Sequence, residues 1–308
     1  LGDVYKRQGV DLSLFNDKFT ATVDYFHEQR DGIYMERKYL PGIVGIVRSN
    51  PKANVGSVRS QGFDGHFAYK QKINRVNLTV RGNFTYSKNE ILEKDEENTV
   101  YPYQTEAGYR VNQAKGLIAL GLFKDYDDIR NSPQQTAWGK VQPGDIKYKD
   151  VNGDGKIDGG SRSVGTVTDE NDPNYGKRDT GDLEVIGNST PRYEYGIRLG
   201  ADYKGFDFSI FMQGVGKRDI WGAGFLAIPG FNTGDGAMPQ AIAGNYWRED
   251  RTDAFYPAAY NLAGSNTGFN MQTQDRYLLK MSYVRIKNIT LGYTLPAVWT
   301  KKVLINTV

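Results

Sequence analysis

Cysteine is absent from the 308 residues, so disulfides, thiolate metal sites and cysteine nucleophiles are excluded together. Histidine is nearly absent: only His27 and His66 occur, 39 positions apart, with no triad partner at a telling spacing. Excess charge of one sign is also lacking. The net charge of +3 offers no electrostatic case for nucleic acid as a partner. No apolar run approaches the ~18 residues of a membrane-spanning helix. That leaves open a membrane β-barrel, whose strands are apolar on one face only. No P-loop and no G-x-S-x-G elbow appears. Gly222–Ala227 matches a dinucleotide fingerprint as a string, but no βαβ unit surrounds it. Nothing in the sequence indicates an enzyme.

What is abundant is glycine, with 36 residues, and tyrosine, with 21. The tyrosines belong to a pattern. Val76, Leu78, Val80, Phe84 and Tyr86 alternate with Arg75, Asn77, Thr79, Arg81, Asn83, Thr85 and Ser87. Period two over so long a stretch predicts a half-buried strand longer than the usual ~5–6 residues of soluble sheets. The same alternation predicts strands at 10–14, 19–25, 63–69, 193–203, 206–212 and 284–293, with another beginning at Val303, Leu304 and Ile305. Near Lys287–Asn288 the phase slips by one residue, which predicts a β-bulge. Short turns fall near 16–17, 70–74, 204–205 and 296–301. Long segments fall at about 30–57, 88–190 and 215–280. Strict alternation of short and long connections is the habit of outer-membrane barrels, with short periplasmic turns and long extracellular loops.

Several blocks then resemble the SusC/RagA family of TonB-linked outer-membrane proteins. They are GDIKYKDVNGDGKID at 144–158, NVGSVRSQGFDGHFAY at 54–69, VIGNSTPRYEYGIRLGADYKGFDFSIFMQG at 185–214, NYWRED at 245–250 and YLLKMSYVRIKNITLGYTLP at 277–296. The resemblance implies an all-β fold: a transmembrane antiparallel β-barrel fragment, about 8 of about 22 strands. It implies import of glycans or oligopeptides, a SusD-like surface lipoprotein partner, outer-membrane lipid around the barrel, and coupling to TonB through a plug. Residues 1–8 are expected to be a non-native junction and 9–308 a partial barrel without plug, early strands or closing strand. The competing expectation is a soluble all-β carbohydrate-binding or structural module with a dockerin-like calcium loop. A passive porin or adhesin barrel is a third. Strand length and the loop alternation weigh against the module, and the family blocks against the passive barrel.

Asp150-Val-Asn152-Gly-Asp154-Gly155-Lys156-Ile157-Asp158 fits the first nine positions of an EF-hand-type loop. Oxygen donors fall at positions 1, 3 and 5. Gly155 takes the sharp turn, the Lys156 carbonyl falls at 7 and Asp158 at 9. That donor set suits Ca²⁺ rather than Zn²⁺. Position 12 is Ser161, which is no bidentate acid. The family resemblance implies an acid soon after the loop, set back here by an inserted segment at Gly159–Arg178, which makes Asp182 the first candidate for a displaced ligand, with Asp179 and Glu184 as substitutes. The alternative is a solvated turn closed by its own side chains. Tyr25, Tyr69, Tyr86, Tyr193, Tyr195, Tyr203, Phe206, Phe208, Tyr283 and Tyr293 are expected to form interfacial girdles. Arg81, Arg198, Asp202, Asp207, Gln213 and Arg285 are expected to face the lumen. Tyr246, Trp247, Tyr256 and Tyr260 are expected either to fold the last long loop or to meet a solute or lid.

Overall fold

The computed structural model describes residues 2–38, 50–159, 167–222, 239–259 and 268–296. Ser161, Tyr260, most of Gly222–Ala227, the 296–301 turn beyond its first residue and the strand start at 303–305 lie outside the described residues. In chain order the strands are β1 (Gly2–Leu14), β2 (Phe19–Glu36), β3 (Lys52–Ile73), β4 (Val76–Glu93), β5 (Gln113–Gly116), β6 (Ala119–Leu122), β7 (Ile146–Tyr148), β8 (Glu184–Asn188), β9 (Tyr193–Tyr203), β10 (Phe206–Gly216), β11 (Asp219–Trp221), β12 (Leu278–Lys280) and β13 (Tyr283–Tyr293). One short helix, α1 (Tyr126–Arg130), follows β6.

Seven of these strands form one antiparallel sheet in the order β1-β2-β3-β4-β9-β10-β13, so spatial neighbours are also neighbours along the chain of wall strands. The short turns are tight because their residues accept positive φ. Phe15, Asn16 and Asp17 lie between 55° and 62°, and Lys204–Gly205 at 48° and 86°. Asn74, at 54°, closes the β3–β4 hairpin. That turn is shorter than 70–74, because Lys70, Gln71 and Lys72 stay paired with Thr79, Leu78 and Asn77. Phe211 faces Asn288 and Met212 faces Ile286, so Lys287 is the extra residue of a bulge where the hydrophobic phase slips. The residues expected to be a junction run as the first half of β1, in register from Gly2 against Asp31.

The register explains where the aromatic residues fall. Tyr203, Phe206 and Tyr293 occupy one row near the short turns, and the rings of Phe206 and Tyr293 are 4.4 Å apart. Tyr25, Phe63, Tyr86 and Tyr193 occupy another row on the same face, with Tyr25–Phe63 and Tyr86–Tyr193 centroids each 5.2 Å apart. Tyr203 and Tyr193 are ten residues apart on β9. That is about 33 Å of strand, or about 25 Å of height at a tilt near 40°. Between the rows the outward positions are apolar: Phe84, Tyr195 and Phe208 lie among aliphatic residues, and Val80, Leu199, Ile210 and Ile289 meet across four strands. Protein leaves much of this band uncovered. Ile289 is 63% exposed and Leu291 73%. Beyond the Tyr25–Tyr193 row the same face turns polar, with His27, Gln61 and Lys88 and then Gln29, Arg59 and Glu90. Arg59 pairs with Glu90 at 2.8 Å. An apolar band of bilayer height, edged by aromatics and then by charge, fits a hydrocarbon layer and not water.

β2, β3 and β4 run 18, 22 and 18 residues, so they continue well past the band. Residues 30–36, 52–57 and 88–93, expected in loops, are therefore strand. The buried core lies elsewhere. Leu117, Ile146, Tyr148, Ile157, Phe269 and Tyr277 pack together with Trp138, Leu183, Trp221 and Tyr256 around them. All of these come from the two long connections between β4 and β9 and between β10 and β13. Three two-stranded ribbons, β5–β8, β6–β7 and β11–β12, organise the same segments. The long loops thus fold into a cap with its own core, rather than a length of chain fastened at one point.

Depth on the sheet sets the cost of a charge. In the full-length protein refolded into lipid vesicles, Leu199→Arg at mid-band is expected to lose about 2–4 kcal/mol, and Val76→Arg in the row of Tyr203 about 0–1 kcal/mol. Urea titration measures both, and equal costs would refute this placement of the band.

Candidate functional site

Two features carry functional chemistry: the polar face of the sheet and the aspartate loop of the cap. On the sheet, Arg81 and Arg198 sit opposite each other across β4 and β9, and Arg198 continues to Phe211 on β10. The Arg198 guanidinium lies 5.6 Å from the Phe211 ring centroid. Arg285 donates to Gln213 at 3.2 Å. Asp202 and Asp207 are paired by register at the turn end of the same face. His66, Asn83, Arg81, Arg198 and Phe211 line a hollow of about 510 Å³. The strand pleat places every one of these on the face opposite the aliphatic band. The face is polar, mixed in charge, and suited to contact a polar solute.

The aspartate loop is closed by its own side chains. Asp150 accepts from the amides of Gly153 (2.7 Å) and Gly155 (2.9 Å). Asn152 accepts from Asp154 at 3.1 Å, and Asp154 from Lys156 at 2.8 Å. Gly153 and Gly155 have φ of 78° and 80°, the left-handed turn that only glycine adopts without cost. Ile157 is buried in the cap core, and its amide donates to Gln134, whose own amide donates to Gly155. The loop therefore sits on a hydrophobic anchor with its acidic residues outside.

Asp182 is brought against this loop across the intervening segment. Its carboxylate accepts from Val151 and Asp158, both at 2.8 Å, and its own amide donates to the Asp158 carbonyl at 3.0 Å. Asp179 is engaged elsewhere, accepting from Gln104 and Gly181 at 2.8 Å each, and Glu184 begins β8. Burial, and then the neighbouring Asp150 charge, push the Asp182 carboxyl up to about 6 against the amides that favour its ionised form. The donor set is that of a hard cation, and each accepting oxygen keeps a second lone pair. Among the described residues no group of three or more His, Cys, Asp or Glu side chains converges as a ready cage.

Other polar residues, invisible to motif reading, stitch the cap together. Asn270 donates to Asp145 at 2.8 Å and accepts from the Ile146 amide at 2.9 Å. Gln135 donates to the Ile146 carbonyl and accepts from Tyr148. Asp275 accepts from Ala119. No local spacing marks these residues, because their partners lie more than a hundred positions away or across a turn. Of the loop aromatics, Tyr256 packs on the cap core, and Trp247 lies where a Cβ on Gly144 would stand. Both fold the cap. Arg248 lies 6.0 Å from the Tyr246 ring centroid.

The raised Asp182 carboxyl fixes a sign for pH dependence in metal-free buffer. Between its unfolded value near 3.8 and about 6 the folded state binds more protons, so cap stability is greatest below that window and falls as pH rises through it. The urea midpoint of the full-length protein, followed by tryptophan fluorescence in EDTA, is expected to drop between pH 4 and pH 6.5. Asp182→Asn should flatten that slope, and should lower the midpoint at pH 4 because one amide loses its acceptor.

Comparison with known proteins gives the same picture. No family model matches the chain. It is 24% identical over 318 residues to TonB-dependent receptor P3 of Formosa agariphila, an alignment covering 97% of this chain and 28% of the relative. It is 24% identical over 321 residues to TonB-dependent receptor P39 of the same organism, covering 93% and 28%. The chain thus spans little more than a quarter of the length of these curated relatives. Among solved structures, the RagAB peptide transporter superimposes with a TM-score of 0.67 at 19% identity, over 99% of this chain and 30% of that one. The RagAB peptide importer in the "closed-closed" state gives 0.64 at 19%, again over 99% and 30%. The relatives are named as receptors, and the solved structures as transporters. The chain is thus similar in sequence to proteins named TonB-dependent receptors, and it shares its fold with part of the RagAB structures.

Proposed function

We propose that the chain forms part of the barrel wall and extracellular cap of an outer-membrane, TonB-dependent importer of oligosaccharides or oligopeptides, working with a SusD-like lipoprotein. The observation that carries this is the two-faced sheet: one face an apolar band of bilayer height between aromatic rows, the other polar and hollowed. A soluble module has no use for such a face, because side chains such as Leu291 and Ile289 would stand in water. A passive pore is weighed down by the relatives, all named as TonB-dependent receptors. The wall's role is to hold the polar lining in register while the lipid-facing side anchors it. The cap, rigid through its own core, presents a fixed surface to a lipoprotein lid.

Full-length protein in its native host is expected in the outer-membrane fraction. Uptake of a labelled oligomeric solute should fall to background when the inner-membrane proton gradient is collapsed. Uptake that survives the uncoupler would leave a passive barrel instead.

A structural Ca²⁺ at the aspartate loop is the second element of the proposal. Spare lone pairs of Asp150, Asn152, Asp154 and Asp182, the Lys156 carbonyl and Asp158 are the donors it would use. The bound ion would supply counter-charge among crowded carboxylates, and the glycine turns favour the wrapped conformation in advance. Adding calcium to EDTA-treated full-length protein is expected to raise Tm by a few degrees and to protect the 150–158 loop from proteolysis. Asp154→Ala should abolish both effects. A wild-type Tm indifferent to calcium would leave the loop as a self-closed turn.

A further inference from the structure

A second hollow, of about 490 Å³, lies where the cap meets the upper ends of β9 and β10. Its walls are the β5–β8 and β11–β12 ribbons, and Arg110, Gln113, Arg192, Lys217, Asp219 and Lys280 line it. Four cations therefore face one anion, in a protein whose total charge is only +3. Asp219 is matched by register to Lys280 across the β11–β12 ribbon. Neither Arg110 nor Arg192 takes part in an ion pair among the described residues. Among the described residues Arg110 makes one side-chain hydrogen bond, a long one of 3.4 Å to the Thr190 carbonyl. The Nε of Arg110, the Nε of Arg192 and both amide atoms of Gln113 are buried without a hydrogen-bond partner among the described residues.

Such a cluster is uncommon, since buried polar atoms are nearly always paired. Two arginines drawn together, neither ion-paired to a carboxylate among the described residues, repel each other. Burial, and then the charge of Arg192, hold the Arg110 guanidinium below its ordinary range. A planar guanidinium with a free Nε matches an oxyanion in a two-pronged geometry. Gln113 adds a donor and an acceptor for a neighbouring hydroxyl or amide. Lys217 and Lys280 are exposed at the rim, where they would draw an anion in. The volume falls in the usual range of small-molecule pockets.

We propose that this hollow binds the oxyanion of an anionic solute, a carboxylate or a sulfate, clamped by Arg110 and Arg192 beside Gln113. As a statement of substrate class it rests on the transport reading above. It assigns the solute a negative charge, which neither an unmodified neutral glycan nor an uncharged peptide segment supplies.

The test is equilibrium dialysis of the full-length protein in detergent against radiolabelled inorganic sulfate, with chloride holding ionic strength constant. Saturable binding at one site per chain is expected, with competition by acetate. The Arg110→Gln, Arg192→Gln double variant should bind at least tenfold more weakly. Arg130→Gln, on the exposed surface of α1, should bind as wild type. If the double variant fails to fold, arginine modification of wild-type protein by phenylglyoxal replaces it. Sulfate should then protect Arg110 and Arg192, but not Arg130. Absent saturable binding, unchanged binding in a folded double variant, or absent protection would each overturn the proposal. Uptake and dialysis are separate readouts. Lost proton coupling with sulfate binding retained would overturn the transport reading alone, and the converse would overturn only the hollow.

Discussion

A bilayer offers backbone amides and carbonyls no water, so every polar group of the chain that crosses it must find a partner in the protein. The rest of this structure depends on that constraint. It is met by a continuous antiparallel ladder across seven strands, and once the ladder exists the pleat divides the side chains into two populations. One population is apolar, with rows of tyrosine and phenylalanine at its edges. The other is charged, hydroxylated and hollowed. Sidedness is thus a by-product of hydrogen bonding, and the polar side chains collect on the face that lipid does not claim.

The same constraint explains why the buried core is not in the sheet. A wall that faces lipid outward and water inward has no third side on which to bury leucine and phenylalanine. The cap does. Its core of Leu117, Ile146, Tyr148, Ile157, Phe269 and Tyr277 is assembled from both long connections, and the Asn270–Asp145 contact pins them together. Ordering so much chain costs conformational entropy in proportion to its length. Burial in this core offsets that cost, while the aspartate loop governs only the local turn around Ile157.

The cap then adds a second kind of polar surface. Ribbons that pack for hydrophobic reasons leave hollows between them, and those hollows are lined by whatever polar residues the ribbon edges carry. The hollow of Arg110 and Arg192 arises in this way, above the wall and beside the strand ends. The Arg81–Arg198 hollow arises from the pleat itself. Two polar surfaces of different origin therefore sit on one chain, one set by the sheet and one by the cap.

The alternation in the sequence was enough to place the seven wall strands, the tight turns at 16–17 and 204–205 and the bulge at Lys287, because each is a local signal with a period of two. It was enough to place the Asp150–Asp158 turn as well, since glycine and aspartate at those spacings act on their own backbone. Strand ends were less legible. Above the aromatic row polar residues such as His27, Gln61 and Lys88 take over the outward face of β2, β3 and β4 and the register shifts near Ile33 and Val58, so strict alternation vanishes although the ladder continues. The cap core was not legible, because Tyr148 meets Phe269 across more than a hundred residues and neither carries a periodic signature. Nor was the partnership of Asp182 with Val151 and Asp158 fixed by spacing. The sequence by itself determined the sheet, its sidedness and its turns, which follow from interactions between near neighbours. Only the tertiary structure decided the cap, its buried polar contacts and its basic hollow, because those depend on which distant segments share one small volume.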